Sequence, residues 1–210
     1  MVFLLTVPTM SAGTIFFGGD LRINATVTDC GSGCTLSALD SDSTWAQWAA
    51  VVESFTVLTP STMQAVTFGY GGGTRGTGAI VAAGGLEPCL SLFDAGGNFL
   101  NSTYFGTTCP PGANTIGGAC LDVMLDGGLL APGTYQIALS AYLNMSFAEN
   151  LGTGTLADGF TGLGNLASGE NLNYAFDVNL TPTTAPVPEP ATLSLLGGGV
   201  AAIWRRKSKA

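Results

Sequence analysis

The sequence predicts an all-β fold: a single antiparallel β-sandwich, jelly-roll-like, with a short transmembrane helix at the C-terminus. Two observations predict the sandwich. Apolar and polar residues alternate along short stretches, and turn-forming residues separate these stretches about every ten residues. The composition agrees, since 31 of the 210 residues are glycine and only 10% are charged. Glycine weakens helices, whose surfaces are usually charged, so this composition favours strands joined by tight turns.

The alternation is clearest in two stretches, TYQIALSAY at 134–142 and NYAFDVNL at 173–180. The residues predicted to share one face are Tyr135, Ile137, Leu139 and Ala141 in the first, and Tyr174, Phe176, Val178 and Leu180 in the second. Further strands are predicted at 23–28, 53–58, 63–70, 89–94, 98–101 and 121–125, with turns at 59–61, 95–98, 126–128 and 131–133. Only residues 43–54, STWAQWAAVVES, are predicted to form a short helix, which Ser43 or Thr44 would cap.

Part of the body resembles a known module. The stretch LSLFDAGGNFLNST, followed later by LLAPGTYQIALSAY, is similar to the bacterial pre-peptidase C-terminal domain and related sandwich modules of secreted proteins. In those modules a strand ending in Phe-Asp leads into a Gly-Asn hairpin, and a Pro-Gly-Thr-Tyr turn opens a later core strand. The resemblance covers roughly residues 50–180. It implies a β-sandwich with an accessory or binding role, and it names no ligand.

The chain is predicted to have four segments. Residues 1–13 are interpreted as a truncated signal peptide, since Val2–Val7 is apolar and small residues follow, although the basic residues that usually open such a peptide are missing. The alternative is that this stretch forms a first β-strand. The other segments are the β-sandwich domain at 14–180, a linker at 181–187 whose prolines favour an extended chain, and a C-terminal segment at 188–210.

The cysteines are predicted to form disulfides. The chain has five of them, with no Cys-x-x-Cys pair and no histidine, so a zinc site is not indicated. In an exported chain the simplest prediction is two local disulfides, Cys30–Cys34 and Cys109–Cys120. The second closes a short loop, worth about 3 kcal/mol by the chain-entropy estimate. Cys89 is predicted to lie unpaired in a buried strand as a small apolar residue.

The distribution of charge excludes several functions. Residues 1–204 carry two basic residues, Arg22 and Arg75, against 14 acidic ones, a formal charge of −12. A body this acidic repels phosphate backbones, so no nucleic-acid partner is expected. The absence of histidine removes the Ser-His-Asp and Cys-His catalytic systems, and we predict no enzymatic activity and no catalytic residue.

Two patterns in the body are candidate ligand sites. The stretch GYGGGTRGTG contains G-x-G-x-x-G at Gly71, Gly73 and Gly76, but a dinucleotide site needs a following helix and AIVAAGGLEP offers none. A flexible loop is therefore predicted there. The candidates for binding a calcium ion near loops at one end of the sandwich are Asp94, Asp122 and Asp126. The alternative is a solvated acidic surface, and no other cofactor is predicted.

A secreted carbohydrate-binding or carbohydrate-cleaving module is the alternative function. Trp45, Trp48 and Tyr70 are candidates for stacking on sugar rings, although aromatic residues at this density usually belong to the core. Glycoside cleavage uses a pair of carboxylates, but no spacing marks one residue as the acid and another as the nucleophile. The available glutamates are Glu53, Glu87, Glu149 and Glu170.

The C-terminus joins a short apolar segment to a basic end. Residues 191–204 contain no charged residue, and as a helix they would span about 21 Å, less than the hydrocarbon core of about 30 Å. This is the predicted transmembrane segment, and its three central glycines make it a poor permanent anchor. The residues predicted to stop and orient it, with the C-terminus in the cytoplasm, are Trp204, Arg205, Arg206, Lys207 and Lys209.

The order of features at the C-terminus resembles a known sorting signal. Pro188, Glu189 and Pro190, a glycine-containing apolar segment, and finally Arg205 and Arg206 are similar to the PEP-CTERM protein-sorting signal of Gram-negative bacteria. The resemblance implies that an exosortase, a membrane cysteine transpeptidase-like enzyme, recognises Pro188–Pro190 and cleaves nearby. The alternative is an ordinary weak anchor.

Together these features predict an exported, non-enzymatic protein. We expect it to stay briefly in the inner membrane and then to reach the cell envelope or the extracellular matrix, with exopolysaccharide as a candidate partner.

Overall fold

The computed structural model describes residues 12–26, 49–104, 106, 108–162 and 171–183. In this part of the chain most regular structure is β-strand in antiparallel sheets, which confirms the all-β prediction. The strands are β1 (Gly13–Asp20), β2 (Ala50–Val57), β3 (Ser61–Thr67), β4 (Gly73–Thr74), β5 (Ile80–Val81), β6 (Pro88–Asp94), β7 (Phe99–Thr103), β8 (Met124–Leu130), β9 (Gly133–Ala141) and β10 (Asn173–Pro182). The helices are α1 (Leu21–Asn24), α2 (Phe147–Leu151) and a 3₁₀ turn at Leu156–Asp158.

Eight of these strands form two four-stranded sheets. The first sheet has the order β1-β10-β3-β8 and the second has the order β2-β9-β6-β7, while β4 and β5 pair as a small separate ribbon. Every pairing is antiparallel. Most connections carry the chain from one sheet to the other, so strands that pair within a sheet are usually far apart in sequence.

The inner faces of the two sheets bury one hydrophobic core. The residues that alternation assigned to one face of β9 and of β10 all lie in or against this core, which confirms that prediction. Phe176 is fully buried, and its ring stacks on that of Phe17 with 4.9 Å between centroids. Each such buried aromatic or aliphatic side chain contributes roughly 1.5–3 kcal/mol by leaving water. The inward side chains thus follow the period of two, while some outward ones, such as Ala138 and Asp177, are buried by other parts of the body.

Part of the outer face of the second sheet is covered by apolar residues, which we call the apolar cover. It contains Ala50, Phe93, Ala138, Ala148 and Phe160, all of them buried. Its helix α2 begins after Ser146, whose hydroxyl accepts a hydrogen bond from the backbone N–H of Glu149, and it ends at Gly152 with φ of +71°. A capping serine and a left-handed glycine are the usual ends of such a short helix.

The outer face of the first sheet is closed at one end only. There Val66, Phe68 and Ala175 lie beneath Val81 and Ala113. The covering segments are the glycine-rich stretch at 69–85, which contains β4 and β5, and the stretch at 109–120. We call these two segments the loop cover.

Two predicted elements differ from the structure near the start of the sandwich. The strand predicted at 23–28 is wrong over residues 23–26, since α1 occupies part of them and the Asn24 side chain accepts a hydrogen bond from the Asp20 backbone N–H. The helix predicted at 43–54 is wrong over 50–54, because these residues pair with β9 as part of β2. Pairing and burial of Val51 and Phe55 override the local helical preference. Residues 27–48 lie outside the described residues.

A third difference concerns the Asp-Gly-Gly sequence at 126–128, which was predicted to be a turn. It lies inside β8, where Met63 pairs with Gly128 and Gln64 pairs with Asp126, so that Gly127 is the extra residue of a bulge. Glycines mark bulges as well as turns. A Cβ atom on Gly127 would lie 2.6 Å from the Met63 sulfur, which explains why this inward position has no side chain.

Candidate functional site

The first buried carboxylate of the body holds the glycine-rich stretch. Asp122 is fully buried and accepts hydrogen bonds from the backbone N–H groups of Tyr70 at 3.1 Å and Gly71 at 2.8 Å, and from the Thr67 hydroxyl at 2.9 Å. Burial raises the pKa of Asp122, and these hydrogen bonds oppose the rise. The residue that was a calcium candidate therefore fixes one end of the loop cover.

The second buried carboxylate holds the middle of the same stretch. Asp177, 2% exposed, accepts from Arg75 Nε at 2.7 Å and from the Gly76 backbone N–H at 3.0 Å. The Arg75 guanidinium also donates to the carbonyl oxygens of Phe17 and Phe176, each at 2.8 Å. Arg75 and Asp177 are thus used to attach the loop to the sheet.

Two glycines of the G-x-G-x-x-G pattern allow the backbone of the 109–120 segment to approach closely. A Cβ atom on Gly71 would overlap the carbonyl oxygen of Asn114, and one on Gly73 would overlap that of Gly112. The residues that follow form the β4–β5 ribbon rather than a helix. Since a dinucleotide site places the pyrophosphate at a helix N-terminus, this stretch lacks the element that would bind it.

The disulfide predicted between Cys109 and Cys120 is confirmed, with 5.3 Å between the Cα atoms. It closes the second segment of the loop cover, which bonds to the first through Asn114 N–H to Gly72 O at 2.9 Å. Cys89 is buried and unpaired in β6, also as predicted, and burial raises the pKa of its thiol. Cys30 and Cys34 lie outside the described residues.

The other two calcium candidates bind nearby backbone groups, Asp94 in a turn and Asp126 at the bulge of β8. Asp94 accepts from the backbone N–H groups of Gly96 and Asn98 and from the Asn98 side chain, which lowers the pKa of Asp94. Asp126 accepts from the Gly128 backbone N–H at 2.9 Å. The three aspartates do not converge, and the described part of the chain contains no group of three or more metal-ligating side chains.

The glutamates considered for glycoside cleavage lie on separate elements. Glu53 is in β2; burial, and then the nearby Glu53 carboxylate, raise the pKa of Tyr174 to about 12. Glu87 precedes β6, and burial raises the pKa of Glu87. Glu149 is in α2, and its Oε2 accepts a hydrogen bond from the Ser91 hydroxyl at 3.1 Å. Its other oxygen, Oε1, is buried without a hydrogen-bond partner. Burial raises the pKa of Glu149. Glu170 lies outside the described residues.

Of the three aromatic residues considered for stacking on sugar rings, the structure describes only Tyr70. Trp45 and Trp48 lie outside the described residues. Tyr70 belongs to the loop cover, where its backbone N–H binds Asp122.

A polar groove remains open on the outer face of the first sheet, beside the loop cover. Its volume is about 390 Å³, and it crosses β10, β3 and β8. The strand register places Asn179 opposite Gln64 and Gln64 opposite Asp126. The lining residues are Thr62, Gln64, Asp126, Gly128, Leu129, Asn179 and Thr181. We call this surface the polar groove.

The polar groove was not predicted as a site. Outward polar residues of an alternating strand are expected at any solvated surface, so each strand alone gives no signal. Only the pairing of β10 with β3 and of β3 with β8 brings these side chains into one row.

The residues of the predicted sorting signal and its membrane segment, 188–210, lie outside the described residues. Within the described ranges, no helix has the length and apolar character needed to cross a membrane.

Comparison with known proteins identifies the C-terminal tail. Residues 186–207 match the family model of the PEP-CTERM protein-sorting motif. This confirms the resemblance of the tail, and the motif implies that the chain is a substrate of exosortase sorting, exported with a transient stay in the membrane. No curated protein and no solved structure showed a match to the chain. The resemblance of the body to the pre-peptidase C-terminal domain stays a prediction.

Proposed function

We propose that this chain is an exported, non-enzymatic protein of the cell surface or extracellular matrix, which an exosortase sorts through its C-terminal signal. The observation that carries the proposal is the match of residues 186–207 to the PEP-CTERM motif. Pro188–Pro190 would be recognised outside the inner membrane, and the body would then be released to the envelope or the matrix.

The distribution of charge supports this orientation. Four of the six basic residues lie at 205–209, directly after the uncharged segment 191–204. Basic residues favour the cytoplasmic side of a membrane. The body, with its formal charge of −12 over residues 1–204, would then lie on the outer side.

The architecture of the body supports a stable extracellular module. Counted along the chain, the eight strands of the large sheets have the orders 1-8-3-6 and 2-7-4-5, and this alternation between sheets supports a jelly-roll sandwich. The Cys109–Cys120 disulfide suits an oxidising compartment. Strand β10 runs to Pro182, and Thr181 and Pro182 pair with β3, which supports a domain that extends to about residue 182, with the linker beginning after it.

The use of the buried ionisable groups supports a non-enzymatic role. Asp122, Asp177 and Arg75 bind backbone groups of the body itself. The chain has no histidine to act as a general base near neutral pH. We therefore assign the body to structural or adhesive work in the matrix, without cofactor.

The test is the fate of the C-terminus in a Gram-negative host that has an exosortase. Mass spectrometry of the protein from membrane and medium should show wild type trimmed near Pro188–Pro190. The variant Pro188→Ala/Glu189→Ala/Pro190→Ala should keep its C-terminus and accumulate in the inner membrane, as should wild type in a strain without exosortase.

The matched control is Thr184→Ala, which lies just before the matched residues and should be trimmed like wild type. Unchanged trimming and release of the triple-alanine variant would refute exosortase sorting of this chain.

A further inference from the structure

We propose that the polar groove binds an uncharged, hydroxyl-rich saccharide chain, the component of the matrix that would retain this protein. The inference deepens the proposed function and rests on it for the place where binding occurs. It is carried by the geometry of one row of side chains across three neighbouring strands.

The central row has oriented hydrogen-bonding groups. Thr14 Oγ1 donates to Asn179 Oδ1 at 2.8 Å, so the Asn179 amide is turned with its Nδ2 donor away from that bond. At the other end of the row, Asp126 Oδ1 accepts from the Gly128 backbone N–H, which fixes the carboxylate. Gln64 lies between them and is exposed. The row therefore presents a donor, an amide with both functions, and an acceptor.

The dimensions and the second row fit an extended chain. Neighbouring strands lie about 4.8 Å apart, so the row from Asn179 to Asp126 is about 10 Å long. Beside it, Thr62 pairs with Thr181 on one side and with Leu129 on the other. Leu129 is 65% exposed and gives the groove an apolar wall for the C–H face of a sugar ring.

The charge and composition of the groove exclude other classes of ligand. An anionic polymer would meet the Asp126 carboxylate and a body of formal charge −12. A divalent cation would find one carboxylate among the lining residues. A protein partner would be expected to use aromatic or arginine anchors, and the lining contains neither. A neutral polyol needs only what the row supplies, which is paired donors and acceptors.

The first experiment uses the full chain in affinity electrophoresis. Gels would contain one of several neutral polysaccharides, namely a dextran, a mannan or a galactan, or the anionic polysaccharide alginate. We expect retardation by at least one neutral polysaccharide and none by alginate. Migration unaffected by every neutral polysaccharide, or retardation by alginate alone, would overturn the proposal.

The second experiment locates the binding site with the polysaccharide that retards the protein most. Gln64→Ala and Asn179→Ala each remove hydrogen bonds to the ligand and should weaken binding about tenfold. Gln136→Ala, on β9 of the second sheet, is the matched control and should bind like wild type. Wild-type affinity in the Gln64→Ala/Asn179→Ala double variant would overturn the assignment to this groove.

The two proposals fail separately. The groove variants should be trimmed at the C-terminus like wild type, because Gln64 and Asn179 lie in the body. The triple-alanine variant of Pro188–Pro190, purified from membranes, should still bind the polysaccharide. Loss of trimming with intact binding would thus affect the sorting proposal alone, and the reverse result the saccharide proposal alone.

Discussion

The outer faces of the two large sheets are partly covered, by different kinds of interaction. The apolar cover of the second sheet buries Phe93 and Phe160 beside a capped helix. The loop cover of the first sheet is attached by Asp122 and Asp177, and one of its segments is closed by a disulfide. A glycine-rich segment has few side chains to bury, so buried carboxylates that bind its backbone N–H groups replace hydrophobic contact.

The extent of the loop cover also determines where the polar groove begins. On the first sheet the loop cover ends at Asp177, and the next outward residue of β10 is Asn179 in the polar groove. A cover attached at two points leaves the remaining rows of the sheet open. On the second sheet, α2 and the apolar cover occupy part of the outer face, and Ser54, Thr56 and Thr134 stay exposed beyond it.

The largest loss of stability is expected from a substitution in the apolar cover. Phe93→Ala removes a fully buried ring that packs edge-on against Phe99. The cavity and the lost burial should lower the free energy of unfolding by about 4 kcal/mol, measured by urea denaturation. The matched control is Phe16→Ala on the first sheet, where the ring is 40% exposed and lies under the Arg75 guanidinium, 5.2 Å from the ring centre, and the loss should stay below about 2 kcal/mol. Equal losses at both positions would contradict the contrast between the two faces.

The next largest loss of stability is expected from a substitution that removes the ion pair of the loop cover. Arg75→Met leaves the buried Asp177 carboxylate without its cation and should cost about 3 kcal/mol. Hydrogen exchange of the backbone should accelerate at 69–85 and stay unchanged in α2. Adding Asp177→Asn removes the uncompensated charge and should restore part of the stability. A further loss in the double variant would show that the charge is not the cause.

A smaller effect separates the cross-link from the carboxylates. Cys109→Ser/Cys120→Ser should lower the free energy of unfolding by about 2 kcal/mol, because the unfolded chain gains the freedom of the open loop. Cys89→Ala is the control, since Cys89 forms no disulfide. Gel electrophoresis of wild-type samples prepared with and without reductant would verify the disulfide. Stability that is insensitive to reductant would contradict this role.

The smallest effect is the dependence of stability on pH. Burial raises the pKa of Glu149 above its ordinary value of 4.5, so at neutral pH the folded state bears the cost of an ionised, partly desolvated carboxylate. That cost disappears as pH falls through the folded-state pKa, and stability should rise from neutral pH towards 4.5. Asp122 acts in the same direction. In Glu149→Gln the rise should be smaller; an identical pH profile of thermal unfolding would exclude Glu149 as a contributor.

The parts of the fold that the sequence predicts are those with local signals. Strands β9 and β10 alternate without interruption, so their inward residues could be assigned from the period alone. Residues 50–52 and the glycines at 127–128 were misassigned, because pairing with β9 and with β3 decides their structure. The local preference of a residue for helix, strand or turn does not specify the strand with which it pairs.

The candidate sites divide in the same way. The sorting motif is a contiguous sequence and was recognised directly. The Cys109–Cys120 disulfide joins nearby residues, and it too was predicted. The polar groove joins Asn179, Gln64 and Asp126 through strand register, over separations that no sequence pattern marks.

The position of β10 has a mechanical consequence. This last strand lies in the interior of the first sheet, paired with β1 on one side and β3 on the other, and it ends at Pro182 just before the tail. A pull applied through the C-terminus while the tail is held would run along β10. To extract the strand, such a force must shear two hydrogen-bonded ladders at once, so the body resists traction that is applied at its C-terminal end.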